Sequence, residues 1–218
     1  EVYGARPGSR FLYKIPVTGK RPVRFSGEGM PEGLVLDGQN GIISGACSLR
    51  GTYPVTIEAT NEHGSVKKVL QIIIGDTICL TPPMGWNSWN CWGLSVDQQK
   101  VQAAADAMIS SGLADHGWTY INIDDGWEAA SRTPSGELLS NDKFPNMKAL
   151  GDYVHSQGLR LGIYSSPGTH TCGGFLGSWE HEAQDARTWA GCGIDYLKYD
   201  WCSYERIATG HSLAELQK

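Results

Sequence analysis

Between residues 84 and 199, four short apolar segments begin 35–40 residues apart, at Met84, Tyr120, Leu159 and Ile194. A strand, a helix and two loops fill such an interval, so the spacing predicts βα repetition and a parallel sheet. The stretches between them carry helical faces. Val101, Ala104, Ala105, Met108 and Ile109 form the first, and Met147, Leu150 and Val154 the second. Ala183, Ala186, Trp189 and Ala190 form the inward face of the third. Ser95-Val96-Asp97-Gln98 reads as a capping box for the first helix. Asn146 caps the second, which Gly158 closes, and Ser178 caps the third. Residues 132–138 have the chemistry of a surface hairpin loop.

Two architectures compete for such a pattern. A doubly wound sheet places a glycine-rich phosphate loop after its first strand. Gly168 and Gly173-Gly174 are too scattered to be one. A (β/α)8 TIM barrel instead gathers its chemistry at several strand ends. Two of the segments end that way, in Ile123-Asp124-Asp125-Gly126-Trp127 and in Leu197-Lys198-Tyr199-Asp200-Trp201-Cys202. Charge at the end of a buried strand is costly unless it is paired or used. Acid beside indole at two strand ends points to a sugar-handling pocket, with structural ion pairs as the plainer reading. A complete barrel needs about 250 residues. Residues 77–218 supply four strands, so the expectation is the first half of a barrel, truncated. Its two unpaired edges should seek the rest of the barrel or a second copy of the chain.

Residues 1–76 read as all-β. Phe11, Tyr13, Ile15 and Val17 alternate onto one face, residues 53–59 alternate again, and residues 65–74 form a last strand. Turn signals separate them at Thr18-Gly19, Pro31-Glu32-Gly33, Asp37-Gly38 and Asn40-Gly41. Short strands at this spacing predict a small β-sandwich. Leu34, Leu36, Asp37, Gly41, Ile43 and Gly45, with Gly51, Tyr53, Ala59 and Asn61, resemble the Ig-like domains appended to secreted bacterial enzymes. The module is expected to be an accessory or spacer domain.

The net charge is −5 and no basic cluster occurs, which argues against nucleic acid as a partner. No apolar run approaches the roughly 18 residues of a membrane span. Glu1-Val2-Tyr3-Gly4 is no signal peptide, and a processed secreted protein would start the same way. Six cysteines without a C-x-x-C pair permit disulfides without demanding them. The six histidines have no metal-ligand spacing. No metal and no cofactor are expected.

Five motifs, taken in order, carry a resemblance. They are residues 81–89 (Thr81-Pro82-Pro83-Met84-Gly85-Trp86-Asn87-Ser88-Trp89), the Asp124-Asp125 strand end, Gly162-Ile163-Tyr164, Cys172-Gly173-Gly174-Phe175 and the Lys198–Cys202 strand end. From about residue 80 to 206 the chain resembles glycoside hydrolase family 27, the α-galactosidases. The resemblance implies a retaining exo-glycosidase that removes terminal α-D-galactosyl residues from galactose-containing oligosaccharides or polysaccharides. It makes Asp200 the nucleophile and Asp124 and Asp125 ligands of the sugar hydroxyls. Trp89, Tyr164 and Lys198 fall on other substrate-binding positions. Cys172 and Cys202 fall on a disulfide at the substrate-facing pocket wall. The implied location is secreted or periplasmic.

The residues themselves agree with this chemistry. Lys198, two positions from Asp200 on the same strand face, would favour its ionised form. Asp124 and Asp125 can both reach sugar only if the chain turns there; otherwise one of them caps a helix or loop. The indoles of Trp89 and Trp201 suit the apolar face of a pyranose, whereas Trp86 and Trp127 read equally well as core. Gly126 stands where many eukaryotic members have cysteine, so a second pocket disulfide is not expected. A retaining enzyme also needs an acid/base carboxyl roughly 5–5.5 Å from the nucleophile. Asp124 and Asp125 are committed to sugar, and Glu180, Glu182 and Glu205 lie past the strand ends. The chain by itself is therefore expected to be inactive. Three other readings stay open: an α-N-acetylgalactosaminidase, a β-L-arabinopyranosidase, and a non-catalytic sugar-binding fragment.

Overall fold

The structure is a computed structural model that describes residues 1–212 and Glu215. The last part of the expected catalytic segment, residues 213–214 and 216–218, lies outside the described residues. Two compact units form. The first comprises Glu1–Met84, Ala107–Thr119 and Gln157–Leu159; the second comprises Gly85–Asp106, Tyr120–Ser156 and the residues from Arg160 onward.

The first unit contains β1 (Val2–Ala5), β2 (Phe11–Lys14), β3 (Arg24–Glu28), β4 (Leu34–Asp37), β5 (Ile42–Gly45), β6 (Gly51–Asn61) and β7 (Gly64–Ile74). They make one sheet in the order β1-β7-β6-β3 and another in the order β2-β5-β4. The long β6–β7 hairpin runs in register from Gly51↔Ile74 to Asn61↔Gly64. Its period-2 pattern sends Val55, Ile57 and Ala59 inward from β6, and Leu70, Ile72 and Ile74 from β7. Phe11, Phe25, Leu34 and Ile43 meet them in one core, the sandwich anticipated for this stretch. The turn before β4 needs glycine: Gly33 has φ +87°, and a Cβ there would lie 2.1 Å from the Ala46 carbonyl oxygen.

The second unit contains β8 (Gly85–Asn87), β9 (Tyr120–Asn122), β10 (Arg160–Ser165) and β11 (Tyr196–Tyr199). Its helices are α1 (Trp89–Trp92), α2 (Gln98–Ser110, of which residues 107–110 fall in the first unit), α3 (Met147–Ser156), α4 (Glu182–Gly191) and α5 (Glu205–Ala208). Every pairing is parallel, and the spatial order β8-β9-β10-β11 is the chain order. A doubly wound sheet reverses its strand order at a switch point. This sheet winds one way only, as the first four strands of a (β/α)8 barrel do. Ile121, Ile123, Leu161 and Ile163 are fully buried, giving the sheet a continuous apolar layer.

Four local expectations are corrected. The N-cap of α2 is Asp97, whose Oδ1 accepts the Lys100 amide at 2.9 Å. Ser95 belongs to the preceding turn, and its hydroxyl donates to the Trp92 carbonyl. Likewise Ser178 does not cap α4. Its hydroxyl satisfies the buried Ser166 carbonyl at 3.0 Å and meets the Tyr199 hydroxyl. A buried carbonyl left without a partner would cost more than an exposed helix end. The buried face of α4 is Asp185 and Trp189, while Ala183, Ala186 and Ala190 are exposed. Trp189 packs edge-on against Trp127, centroids 6.0 Å apart, and contributes far more apolar area than three methyl groups. Asp185 is held by Arg132, which also changes the reading of residues 132–138. The turn forms there, with Thr133 and Glu137 hydrogen-bonded, yet Leu138 is buried. Arg132 makes a bidentate pair with Asp185 at 2.6 and 2.8 Å.

Asn146 does cap α3, accepting the Ala149 amide at 2.9 Å, and Met147, Leu150 and Val154 are buried. His155 pairs with Asp195 at 2.7 Å, a structural use of a histidine.

Candidate active site

The C-terminal ends of all four strands deliver polar side chains. From the end of β8, the Ser88 hydroxyl accepts the Asp124 amide at 2.9 Å. From β9 come Asp124 and Asp125. The chain turns immediately after them, at Gly126 with φ +97°. That turn lets neighbouring carboxylates face different partners while both stay buried, at 2% and 1% exposure.

Asp124 Oδ2 accepts the Lys198 ammonium at 2.8 Å, reaching from the end of β9 to β11. Lys198 is paired in register with Tyr164 on β10, and its ammonium lies 4.9 Å from that ring's centroid. Lys198 thus serves Asp124, where the sequence placed it beside Asp200. The side chain of Asp124 is closed off but that of Lys198 is 40% exposed, so the ammonium keeps donors for a ligand.

Asp125 is differently engaged. Thr171 Oγ1 donates to its Oδ1 at 2.8 Å, and the Gly173 amide to its Oδ2 at 2.6 Å. This is the loop-capping role that the sequence left open for one of the pair. Asp125 thereby fixes the loop after β10 that carries Cys172.

Asp200 lies just past β11 and is exposed. Its Oδ1 accepts the Trp201 amide at 2.9 Å, and its Oδ2 lies 3.3 Å from the Tyr164 hydroxyl. Burial, then the charges of Asp200 and Asp125, push the Tyr164 phenol well above its ordinary pKa. The phenol therefore stays a donor to the carboxylate. Cys172 and Cys202 form a disulfide with Cα atoms 5.2 Å apart. Ser166 locks its second half, donating to the Cys202 carbonyl at 2.6 Å. The Asp200 carboxylate and the two sulfurs lie within 4.8 Å of one another. With the sulfurs bonded together, no thiolate remains to ligate a metal.

The four indoles differ in burial. Trp89 and Trp201 are exposed, the latter braced edge-on by Tyr204 with centroids 4.5 Å apart. Trp127 is buried, and its Nε1 donates to the Tyr164 carbonyl at 2.9 Å. Trp86 is half-buried against Cys91. Sequence reasoning missed Ser88, Thr171, Ser166 and, above all, Glu128. The last is fully buried beside the acidic pair, and its pKa is pushed up to about 8, chiefly by burial. The sequence carried no signal for it: an acid four residues after Asp124 reads as one more surface residue, and only the folded turn encloses it.

One solvent-facing carboxylate with a phenol donor, a Lys–Asp pair with open donors, and exposed indoles together suit a polyhydroxylated ring. The Alpha galactosidase A family matches residues 81–216, more than half of the chain. The chain belongs to the α-galactosidase A family. An Ig-domain family matches residues 2–75 of this family member. The α-galactosidase A of Cellvibrio japonicus is 52% identical over 134 residues, 61% of this chain and 33% of that protein. A candidate α-galactosidase from Bacteroides fragilis superposes with a TM-score of 0.90 at 47% identity, over 92% of this chain and 43% of that one. The α-galactosidase of Saccharomyces cerevisiae, solved with raffinose, gives a TM-score of 0.55 at 40% identity, over 57% of this chain and 28% of that one. This α-galactosidase A family chain spans about a third of the length of the curated relatives it matches.

Proposed function

We propose that these residues form the nucleophile half of a retaining exo-α-galactosidase pocket. Asp200 attacks the anomeric carbon. Asp124, Lys198, Tyr164 and Trp89 hold the galactosyl ring. The Cys172–Cys202 disulfide forms the wall of the pocket, and Asp125 sets that wall through the 171–173 loop. The observation that carries this reading is Asp200: an exposed carboxylate at a strand end, 3.3 Å from a phenol that stays protonated. A carboxylate at the C-terminal rim of a barrel sheet is the kind of group that forms a glycosyl-enzyme intermediate in a retaining enzyme. The substrates are galactose-containing oligosaccharides or polysaccharides.

A retaining enzyme needs a second carboxyl to protonate the leaving oxygen, and the acids around Asp200 are otherwise engaged. Asp124 is committed to Lys198 and Asp125 to the 171–173 loop. Glu182 and Glu205 open α4 and α5. The chain by itself then lacks general-acid assistance worth roughly 10²–10⁴ in rate. Residues 1–76 serve as an accessory module to a catalytic segment beginning at 77. A disulfide at the pocket wall fits an oxidising compartment, secreted or periplasmic.

The test uses a protein in which these residues are followed by the remaining barrel strands. A fluoro-galactoside that traps the intermediate should label the peptide containing Asp200, and Asp200→Ala should abolish turnover while leaving the circular dichroism unchanged. Label on another peptide, or near-normal turnover in the variant, would overturn the assignment. Release of N-acetylgalactosamine or arabinose in preference to galactose would move the substrate within the family.

A further inference from the structure

Glu128 sits inside the turn that displays Asp124 and Asp125, and no part of it is exposed. Its Oε2 accepts the Gly126 amide at 2.9 Å, closing the turn from within. Its Oε1 has no hydrogen-bond partner among the described residues. From outside, Asn141 holds the same turn by donating to the Gly126 and Glu128 carbonyls at 2.9 and 3.1 Å. Between them, Trp127 is anchored to β10 and α4. We propose that Glu128 is a positioning residue of the galactose pocket, a neutral carboxylic acid that holds the Asp124–Asp125 turn and whose ionisation dismantles it.

The electrostatics run in the same direction. An acid enclosed this way, with one oxygen unpaired, is disfavoured as an anion. Its pKa is pushed up to about 8, by burial first and by the Asp125 carboxylate as well, which together outweigh the backbone amides of Glu128, Gly126 and Trp127 that favour the anion. The groups facing it are Asp125 on its own turn and Lys143 from the loop before α3. Lys143 is itself spent on the Leu94 carbonyl at 2.8 Å, and the start of α2 sets Asp97 and Lys100 around it. Losing the proton would put a second negative charge beside Asp125 without a dedicated cation. The chain relieves it by opening the turn to water, and Asp125 then loses its register with Thr171 and Gly173. Glu128 touches no substrate, because it is walled off, so it cannot serve as the missing acid/base group.

This inference rests on the proposed galactosidase reading, and two measurements keep their failures apart. The first needs no substrate. Infrared difference spectra of this chain between about pH 6 and pH 9 should show a buried carboxylic-acid carbonyl band that disappears in Glu128→Gln. Absence of the band in the parent, or its persistence in the variant, would sink the proposal whatever the enzyme does. The second uses the protein carrying the full barrel. Above about pH 8 its kcat/KM for an aryl α-galactoside should fall about tenfold per pH unit, through KM. Glu128→Gln should keep the neutral-pH value and lose that limb, whereas Glu128→Ala should raise KM at every pH. If Glu128→Ala does not fold, the glutamine profile alone decides, and an unshifted alkaline limb would refute the inference. A parent that binds and cleaves no galactoside would instead refute the functional reading.

Discussion

At the scale of single residues, the pocket divides its acids by environment. Asp200 stands in solvent, Asp124 is paired with a lysine, Asp125 is bound to a loop and Glu128 is walled in. Asp124→Asn should weaken productive binding by about 1–3 kcal/mol, seen as a raised KM, because it strands the Lys198 ammonium. Asp125→Asn should do the same while also loosening the 171–173 loop, which hydrogen exchange at the Gly173 amide would report. Glu128 makes a separate prediction about stability. Folded, it keeps its proton up to about pH 8; unfolded, it ionises near its ordinary 4.5. Between those values the unfolded chain binds fewer protons, so stability falls as pH rises through the window and levels off above it. Glu128→Gln should therefore gain Tm over the parent progressively from about pH 4.5 to pH 8, with no gain at pH 4. A Tm difference independent of pH would contradict this.

At the scale of elements, caps and clamps do different amounts of work. Asp97 satisfies one orphan amide of α2, so Asp97→Ala should cost about 1 kcal/mol in urea unfolding. Arg132 is a larger matter. It pairs with a fully buried Asp185 and also donates to the Gly136 and Gly177 carbonyls. It thereby joins the loop after β9, the loop after β10 and α4. Removing it leaves a buried charge unpaired, and Arg132→Ala should cost about 3–5 kcal/mol. Arg132→Ala combined with Asp185→Leu should recover part of that loss. If the double variant is no more stable than the single, the pair is not what the loops depend on.

At the scale of the whole molecule, the four-stranded sheet gathers the residues of the candidate site on one rim. The Cys172–Cys202 bond ties the loop after β10 to the end of β11 across 30 residues of sequence. Loop-closure entropy for that length is worth about 3–4 kcal/mol. Peptide mapping without reductant should recover the two cysteines linked, and Cys172→Ser with Cys202→Ser should lower Tm and raise KM together. The buried core of the sandwich is a cluster of residues between Ala5 and Ile74, with Tyr3 packed against it. A β-sandwich with its own core is an independent source of stability.

Periodicity was legible because it reports burial: alternation marked β2 and β6, and the 35–40-residue interval marked parallel strands with helices between them. The acidic strand ends were legible too, since charge at the end of an apolar run has few explanations. Partner choice was not. Whether Lys198 answers Asp200 or Asp124 depends on strands separated by 74 residues of sequence, and only their register decides it. The same holds for Ser178, which looked like a cap and became a partner for a buried carbonyl. It holds for the face of α4, which one indole and one ion pair set against three alanines. Glu128 is the plainest case. As a letter in the sequence it is one more surface acid, and only enclosure by the folded turn, with water excluded, keeps its proton on.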